Sequence, residues 1–247
     1  MSSLTSSGSP QNLISLLRDA EAERLRRTGR LIDSYFPNTG EHRRERYVKH
    51  LDFFKAGATH RERLFMAGNR VGKSDTGCYE DTLHLTGDYP HWWEGRRFAC
   101  PVECWIAGET NLTVRDILQK KLLGAWGSFG TGMIPRDAIV HWTAKRGVAD
   151  SVDTVFVRSL NGGVSSLSFK SYAEGRQNFQ GTAKHVIHFD EEPSQETYIE
   201  ALLRTMIVPG CDTGGLMMVT FTPIEGWSTL IEDFLAGVES QNAAPSE

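Results

Sequence analysis

The chain has 247 residues, enough for one sizeable α/β core and a small appendage. Its 39% hydrophobic and 23% charged content is that of a globular protein, and no apolar run approaches the length of a membrane-spanning helix. A net charge of −4 argues against a simple DNA-coating protein, but not against a DNA motor that releases its track each cycle and needs only a local basic patch.

Residues 1–9 are Ser-rich and read as disordered, and the first five carry neither a basic leader nor an apolar signal core, so export is not expected. Ser9 can cap a helix with Pro10 in its first turn; it is expected to run to Phe36, where Pro37-Asn38-Thr39-Gly40 stops it. A second helical stretch over 41–56 presents Tyr47, Leu51, Phe53 and Phe54. The apolar run 64–66 reads as a buried strand entering A-G-N-R-V-G-K-S at 67–74, after which a helix continues from Asp75. Strand, loop and helix in that order make a phosphate cradle, in which loop N–H groups and the helix N-terminus converge on a phosphate. Ala67, Gly68, Asn69, Arg70, Val71, Gly72, Lys73 and Ser74 are therefore expected to bind ATP. Lys73 would reach the β/γ oxygens and Ser74 would ligate Mg²⁺. Ala67 stands where the G-x-x-x-x-G-K-[ST] pattern has its first glycine.

Trp92 and Trp93 beside Arg96 and Arg97 suggest either nucleic-acid stacking or packing; packing or a subunit contact is favoured, because duplex bases are already stacked. Cys100 and Cys104 invite a metal reading, yet no second pair or nearby His completes four ligands, and reduced thiols are expected. A strand over 102–107 and a helix over 111–123 follow. Extended runs at 153–158 and 164–172 flank Leu160-Asn161-Gly162-Gly163, a hairpin signal that predicts antiparallel additions to a mainly parallel sheet.

The apolar strand 185–189 runs into Asp190-Glu191-Glu192-Pro193. Asp190 would hold Mg²⁺ through its water shell and Glu191 would polarise the attacking water; the competing reading is a solvated acidic turn. Glu192 reads as a solvated or helix-start charge, and His188 as a buried neutral residue. A third buried strand, 216–221, ends at Thr222-Pro223, where the Thr222 hydroxyl could sense the γ-phosphate and couple hydrolysis to movement, or merely finish the strand. Residues 239–247 read as a linker or frayed tail. The three strand-end motifs, in this order, point to a nucleotide hydrolase; the expected fold class is α/β, a P-loop NTPase (RecA-like, additional-strand catalytic-glutamate type) with a mainly parallel central sheet, antiparallel hairpin additions and an N-terminal helical extension.

Around these motifs the chain resembles the N-terminal ATPase domain of the large terminase subunit of tailed bacteriophages. The likeness is carried by Arg61-Glu62-Arg63 leading into the phosphate loop and by Arg176-Gln177-Asn178-Phe179-Gln180-Gly181-Thr182 ahead of His188-Phe189-Asp190-Glu191-Glu192-Pro193. It extends through Thr220-Phe221-Thr222-Pro223-Ile224-Glu225-Gly226 and through the Asp88–Phe98 cluster. The resemblance implies an Mg²⁺-dependent ATPase that drives double-stranded DNA into a procapsid in the host cytoplasm. Portal protein, the small terminase subunit and a ring of copies of this chain would be its partners, the chain alone being a monomer. It also implies an arginine finger, Arg70 in cis or one of Arg115, Arg146, Arg176 and Arg204 in trans, and adenine contacts near Tyr47, Phe54 and Arg61, for which core packing is the alternative. The expected division is a helical extension at 1–58, an ATPase core at 59–235 and a tail at 236–247; the nuclease domain of full-length members, and its activity, are not expected in this chain. A helicase-like translocase of another P-loop family is the runner-up, disfavoured because residues 224–247 leave no room for a second tandem domain. The absence of N-K-x-D disfavours a GTPase, and the Asp190-Glu191 pair disfavours a small-molecule kinase. A non-hydrolysing nucleotide-binding scaffold is the alternative of a different class.

Overall fold

The computed structural model describes residues 17, 29–211, 213–223, 226 and 228–243. Among these, seven strands form one sheet: β1 (Glu62–Met66), β2 (Glu103–Gly108), β3 (Ile139–Ala144), β4 (Val152–Arg158), β5 (Val164–Ser171), β6 (Val186–Asp190) and β7 (Leu216–Phe221). Their spatial order is β1-β7-β6-β2-β5-β4-β3. The first five run parallel, and β4 and β3 add on antiparallel. The phosphate-loop strand β1 and the acid-bearing strand β6 are thus separated by one strand, β7, as the additional-strand class requires.

The burial of each strand follows from its place. Every residue of β6 and β7 is buried, so these central strands read as largely apolar runs, interrupted by His188, Asp190 and Thr220. In β5, half-buried by its neighbour, buried and accessible residues alternate. Along β7, Leu216 and Met218 join one hydrophobic cluster while Met217, Val219 and Phe221 join another, which places a core on each sheet face. The first core is covered by α1 (Val48–Ala56), α2 (Lys73–Thr86) and α3, a continuous helix made of Asn111–Thr113, a π-helical stretch Val114–Gln119 and Lys120–Leu123. The second is covered by α4 (Gln195–Thr205), capped by the Ser194 hydroxyl at the Thr197 N–H, and by α5 (Thr229–Ala243).

The expected hairpin is present: β4 and β5 pair antiparallel from Arg158–Val164 inward, with Gly162 and Gly163 at φ 84° and 81° in the turn. Three expectations need correction. The helix from Pro10 does not reach Phe36. A single 3₁₀ turn spans Leu31–Ser34, and Phe36 takes φ 50° so that its ring can pack on Tyr79 and Phe54, at centroid distances of 5.0 and 5.3 Å. Of the rest of that helix only Leu17, which is helical, and residues 29–30 are described; residues 1–16 and 18–28, the Ser-rich start among them, lie outside the described residues. Between 41 and 56 a short turn (Arg44–Arg46) precedes α1, interrupted at Tyr47. At the other end α5 continues to Ala243, past the expected boundary at 236, because Leu230 and Ile231 seat it on the second core. The edge strand β3 had no sequence counterpart.

One buried ion pair ties α2 to β1. Arg63 donates to Glu80 at 2.7 and 3.0 Å and to the Phe53 carbonyl at 2.8 Å, while His84 Nε2 lies 3.1 Å from Glu80. Burial alone would raise the Glu80 pKa, but Arg63 and His84 outweigh it and hold the carboxyl at about 2. Because the folded value is depressed, the pair's stabilisation is present above the ordinary carboxylate range and is lost as pH falls toward about 2. Arg63→Met, which strands the Glu80 charge, is expected to cost about 3–5 kcal/mol in urea unfolding at pH 7. That penalty should shrink on acidification; a pH-independent penalty would show that the charge on Glu80 is not its source.

Candidate active site

The carboxyl ends of β1, β7 and β6 fall in register, Met66 beside Phe221 and Thr220 beside Asp190. Residues 67–74, 190–191 and 222 therefore emerge along one sheet edge, and the Ala67 N–H still reaches the Phe221 carbonyl at 3.4 Å. Arg70 (φ 63°) and Gly72 (φ 84°) take left-handed conformations, turning the loop before α2 begins at Lys73. An arginine there carries strain of order 1–2 kcal/mol, the kind of local cost that gathers at functional loops. Ala67 is not among the positive-φ residues, so the backbone tolerates alanine at the first pattern position. Lys73 is nearly buried, its Nζ donating to the Gly68 carbonyl at 2.7 Å. Two contacts brace the loop from outside. Thr222 donates to Asn69 Oδ1 at 2.8 Å, and His50 Nε2 meets the Val71 carbonyl at 3.0 Å. Since a carbonyl only accepts, Nε2 carries the proton, and burial, opposed by that bond, lowers the His50 pKa and keeps the ring neutral.

Asp190 is buried, with Oδ1 accepting from the Thr220 hydroxyl at 2.9 Å. Glu191 sits at φ 76°, held there by its N–H to the Thr220 carbonyl at 2.8 Å. The Tyr172 hydroxyl, 2.8 Å from the Glu191 carbonyl and 3.1 Å from that of Asp190, pins the same turn. Burial and then the Asp190 charge raise the Glu191 pKa, against the Thr222 N–H and Lys73. Ser74, Glu109, Tyr172, Asp190, Glu191 and Thr222 share a cavity of about 970 Å³. Glu192 also lines it, hydrogen-bonded to Ser228 at the start of α5.

A second cavity of about 660 Å³ opens beside Arg70, Val71 and Gly72 and is walled by Tyr35, Phe36, His42, Tyr47 and His50. Of the residues expected near a base, Tyr47 lines it and two do not. Phe54 is 1% exposed in the aromatic core, and Arg61, at the opposite end of β1, donates to the Thr205 carbonyl at 3.0 Å. Arg70 faces this aromatic cavity, whereas Ser74 faces the carboxylates. Among the trans candidates, Arg115 is tied to Asp116 and the Ala149 carbonyl, and Arg204 to Glu200 and the Gly181 carbonyl. Arg146 and Arg176 are exposed.

Trp93 is buried and donates to the Arg96 carbonyl, Trp92 packs on the same core, and Arg97 donates to the Pro90 and Trp93 carbonyls; this cluster is packing. His188 is buried as expected but is no isolated neutral ring. Its Nδ1 lies 2.7 Å from Asp81, and although burial lowers its pKa, the Asp81 carboxyl more than reverses this, so the net direction is up. Tyr172 and His50 had no place in the motifs, and Thr220 stood in one without an assigned role. A signal for Thr220 was its polarity inside the otherwise apolar strand 216–221.

A parallel core with a phosphate loop after β1, paired acids after β6 and one strand between them is a P-loop NTPase fold of the additional-strand type. The chain belongs to the family described as terminase large subunit, T4likevirus-type, N-terminal, which matches residues 64–247. It is 36% identical over 247 residues to the terminase large subunit of Salmonella phage P22, covering 92% of this chain and 47% of that protein, so it spans about half the length of this curated relative. Similar solved structures include the large terminase of a thermophilic bacteriophage in complex with ADP, with 14% identity, TM-score 0.47 and coverage of 79% of this chain and 42% of that one. The HK97 bacteriophage large terminase shows 11% identity and TM-score 0.49, over 80% of this chain and 36% of that one.

Proposed function

We propose that this chain is the ATP-hydrolysing motor portion of a phage terminase large subunit, powering translocation of double-stranded DNA into a procapsid. The observation that carries the reading is the convergence of Lys73, Ser74, Asp190, Glu191 and Thr222 at the carboxyl edge of three adjacent parallel strands, next to an aromatic cavity. In this reading the loop N–H groups take the phosphates and the aromatic cavity takes the base. Lys73 exchanges its Gly68 carbonyl for the β/γ oxygens, and Glu191 orients and polarises the attacking water. The hydroxyl of Ser74 and the carboxylate of Asp190, two hard oxygen donors on one cavity, fit Mg²⁺. That ion would supply charge neutralisation at the transferring phosphoryl group. Arg70, facing the aromatic cavity, would have to swing across the loop to act in cis; exposed Arg146 and Arg176 are the better trans candidates. Residues 59–235 would form the ATPase core, continued by α5, with 1–58 as its extension.

Double-stranded DNA, portal protein, the small terminase subunit and a ring of copies are the partners this role requires, in the host cytoplasm. No helix among the described residues is long and apolar enough to cross a membrane. Family membership leaves the helicase-like alternative without an observation in its favour. Calorimetry of ADP binding together with steady-state ATP turnover tests the reading. Binding without Mg²⁺-dependent turnover, even with copies assembled on portal and DNA, would indicate a scaffold instead.

Thr222→Val is expected to leave nucleotide affinity within a few fold yet uncouple turnover from movement. Valine keeps the strand-end shape while cutting the bond to Asn69 that links β7 to the phosphate loop. Packaging per ATP hydrolysed, measured in a reconstituted motor, should collapse; an unchanged ratio would end the coupling role.

A further inference from the structure

We infer that His188 is a positioning residue for Asp190, acting through the Thr220 hydroxyl and anchored by Asp81 on α2; this rests on the nucleotide-hydrolase reading above. The four side chains form one buried chain across three elements. Asp81 Oδ2 lies 2.7 Å from His188 Nδ1, His188 Nε2 lies 3.0 Å from Thr220 Oγ1, and Thr220 Oγ1 lies 2.9 Å from Asp190 Oδ1. Asp81, His188 and Thr220 are all 0% exposed, so no water competes for these bonds.

Counting protons fixes the direction of the chain. The Thr220 hydroxyl has one proton, and an ionised Asp190 can only accept it. Thr220 must then accept from His188, which requires a proton on Nε2. Nδ1 either donates to an Asp81 carboxylate or accepts from an Asp81 carboxylic acid. Both arrangements leave the Asp81–His188 pair net neutral, and both keep Nε2–H. The remaining arrangement, an Asp81 anion beside a neutral ring with its proton on Nδ1, would turn Thr220 away from Asp190. The placement of His188 Nε2 on Thr220 and of Thr220 on Asp190 Oδ1 therefore holds one carboxylate oxygen and leaves the second oxygen of Asp190 for ligands.

The backbone of α2 is shaped around this ring. A Cβ on Gly77 would fall 2.1 Å from His188 Cε1, so the helix accepts a mid-helix glycine, at about 1 kcal/mol relative to alanine, to bring the ring against Asp81 one turn on.

Two pairs of variants separate positioning from mere packing. Thr220→Val keeps shape and removes the hydroxyl; Thr220→Ser keeps the hydroxyl. His188→Asn keeps a donor toward Asp81 and drops the one toward Thr220, whereas His188→Gln can place a donor at the Nε2 position. ADP affinity is measured by calorimetry with Mg²⁺ and in EDTA, and Mn²⁺ binding with ADP by electron paramagnetic resonance. Thr220→Val and His188→Asn are expected to lower the metal-dependent gain in ADP affinity by about tenfold or more, the usual scale for groups that orient a metal ligand. Their metal-free ADP affinity should stay unchanged, and their ATP turnover should require more Mg²⁺ for half-saturation. Thr220→Ser and His188→Gln should recover most of the gain. If Thr220→Val does not fold, the His188→Asn and His188→Gln comparison decides on the same readout. A wild-type metal-dependent gain in Thr220→Val and His188→Asn would overturn the inference, as would equal losses with and without metal in all four variants. Wild-type protein without any Mg²⁺-dependent gain in ADP affinity would overturn this inference alone, whereas the absence of Mg²⁺-dependent ATP turnover would overturn the hydrolase reading.

Discussion

Replacing Lys73 with alanine is expected to abolish ATP hydrolysis, with turnover falling by more than about a hundredfold. The side chain is 8% exposed and its Nζ is already drawn into the loop, 2.7 Å from the Gly68 carbonyl, so the cation is held in place before any phosphate arrives. A preorganised cation of this kind acts at low effective dielectric on charge that develops at the β/γ oxygens, which is where phosphoryl transfer needs it. Folding should be almost untouched, because Lys73 opens α2, its one hydrogen bond is local, and alanine favours the helix. Unfolding midpoint and turnover, measured on the same preparation, therefore separate loss of chemistry from loss of fold. Turnover within tenfold of wild type would remove the phosphate-loop assignment.

The parts of this site that could be read from the chain are those whose chemistry is contiguous. Asp190-Glu191 and Thr222 each sit at the end of a mostly apolar run, the mark of a fully buried parallel strand, whereas residues 67–74, after the partly exposed edge strand β1, were legible from the loop pattern itself. The hairpin turn at 160–163 was legible for a similar reason, since positive φ at successive positions nearly demands glycine. What escaped is non-local. Tyr172 reaches the Glu191 turn from the end of β5, and Asp81 meets His188 across 107 positions of chain. No window of sequence holds either pair. β3 escaped because it is an exposed edge strand whose accessible residues break the alternation. Arg61 lies apart from the aromatic cavity because it precedes β1 while the cavity opens at the strand's other end, where much of its wall comes from residues 31–50, whose helical reading gave way to a tight turn at Phe36.

Glu191→Gln is expected to retain nucleotide and lose hydrolysis by about a hundredfold or more, the range for removal of a general base. The amide preserves size and can still accept from the Thr222 N–H, 3.5 Å from Glu191 Oε2, so the turn held by Tyr172 and Thr220 should persist. What it cannot do is take a proton from, or polarise, the attacking water. The geometry favours Glu191 over its neighbour. Glu191 is lifted toward neutrality by burial and by Asp190, whereas Glu192 is engaged with Ser228 at the base of α5. Glu192→Gln should accordingly be mild, within a few fold. The pH profile offers an independent check. Because Glu191 must be ionised to act and its pKa is raised in the free protein, the acid limb of kcat/KM should fall at a pH above the ordinary glutamate range. In Glu191→Gln the residual rate should lose that limb. If instead Glu192→Gln were the inactive variant and abolished the limb, the base would be Glu192, and the left-handed turn at Glu191 would be explained as the bend that delivers its neighbour to the cavity.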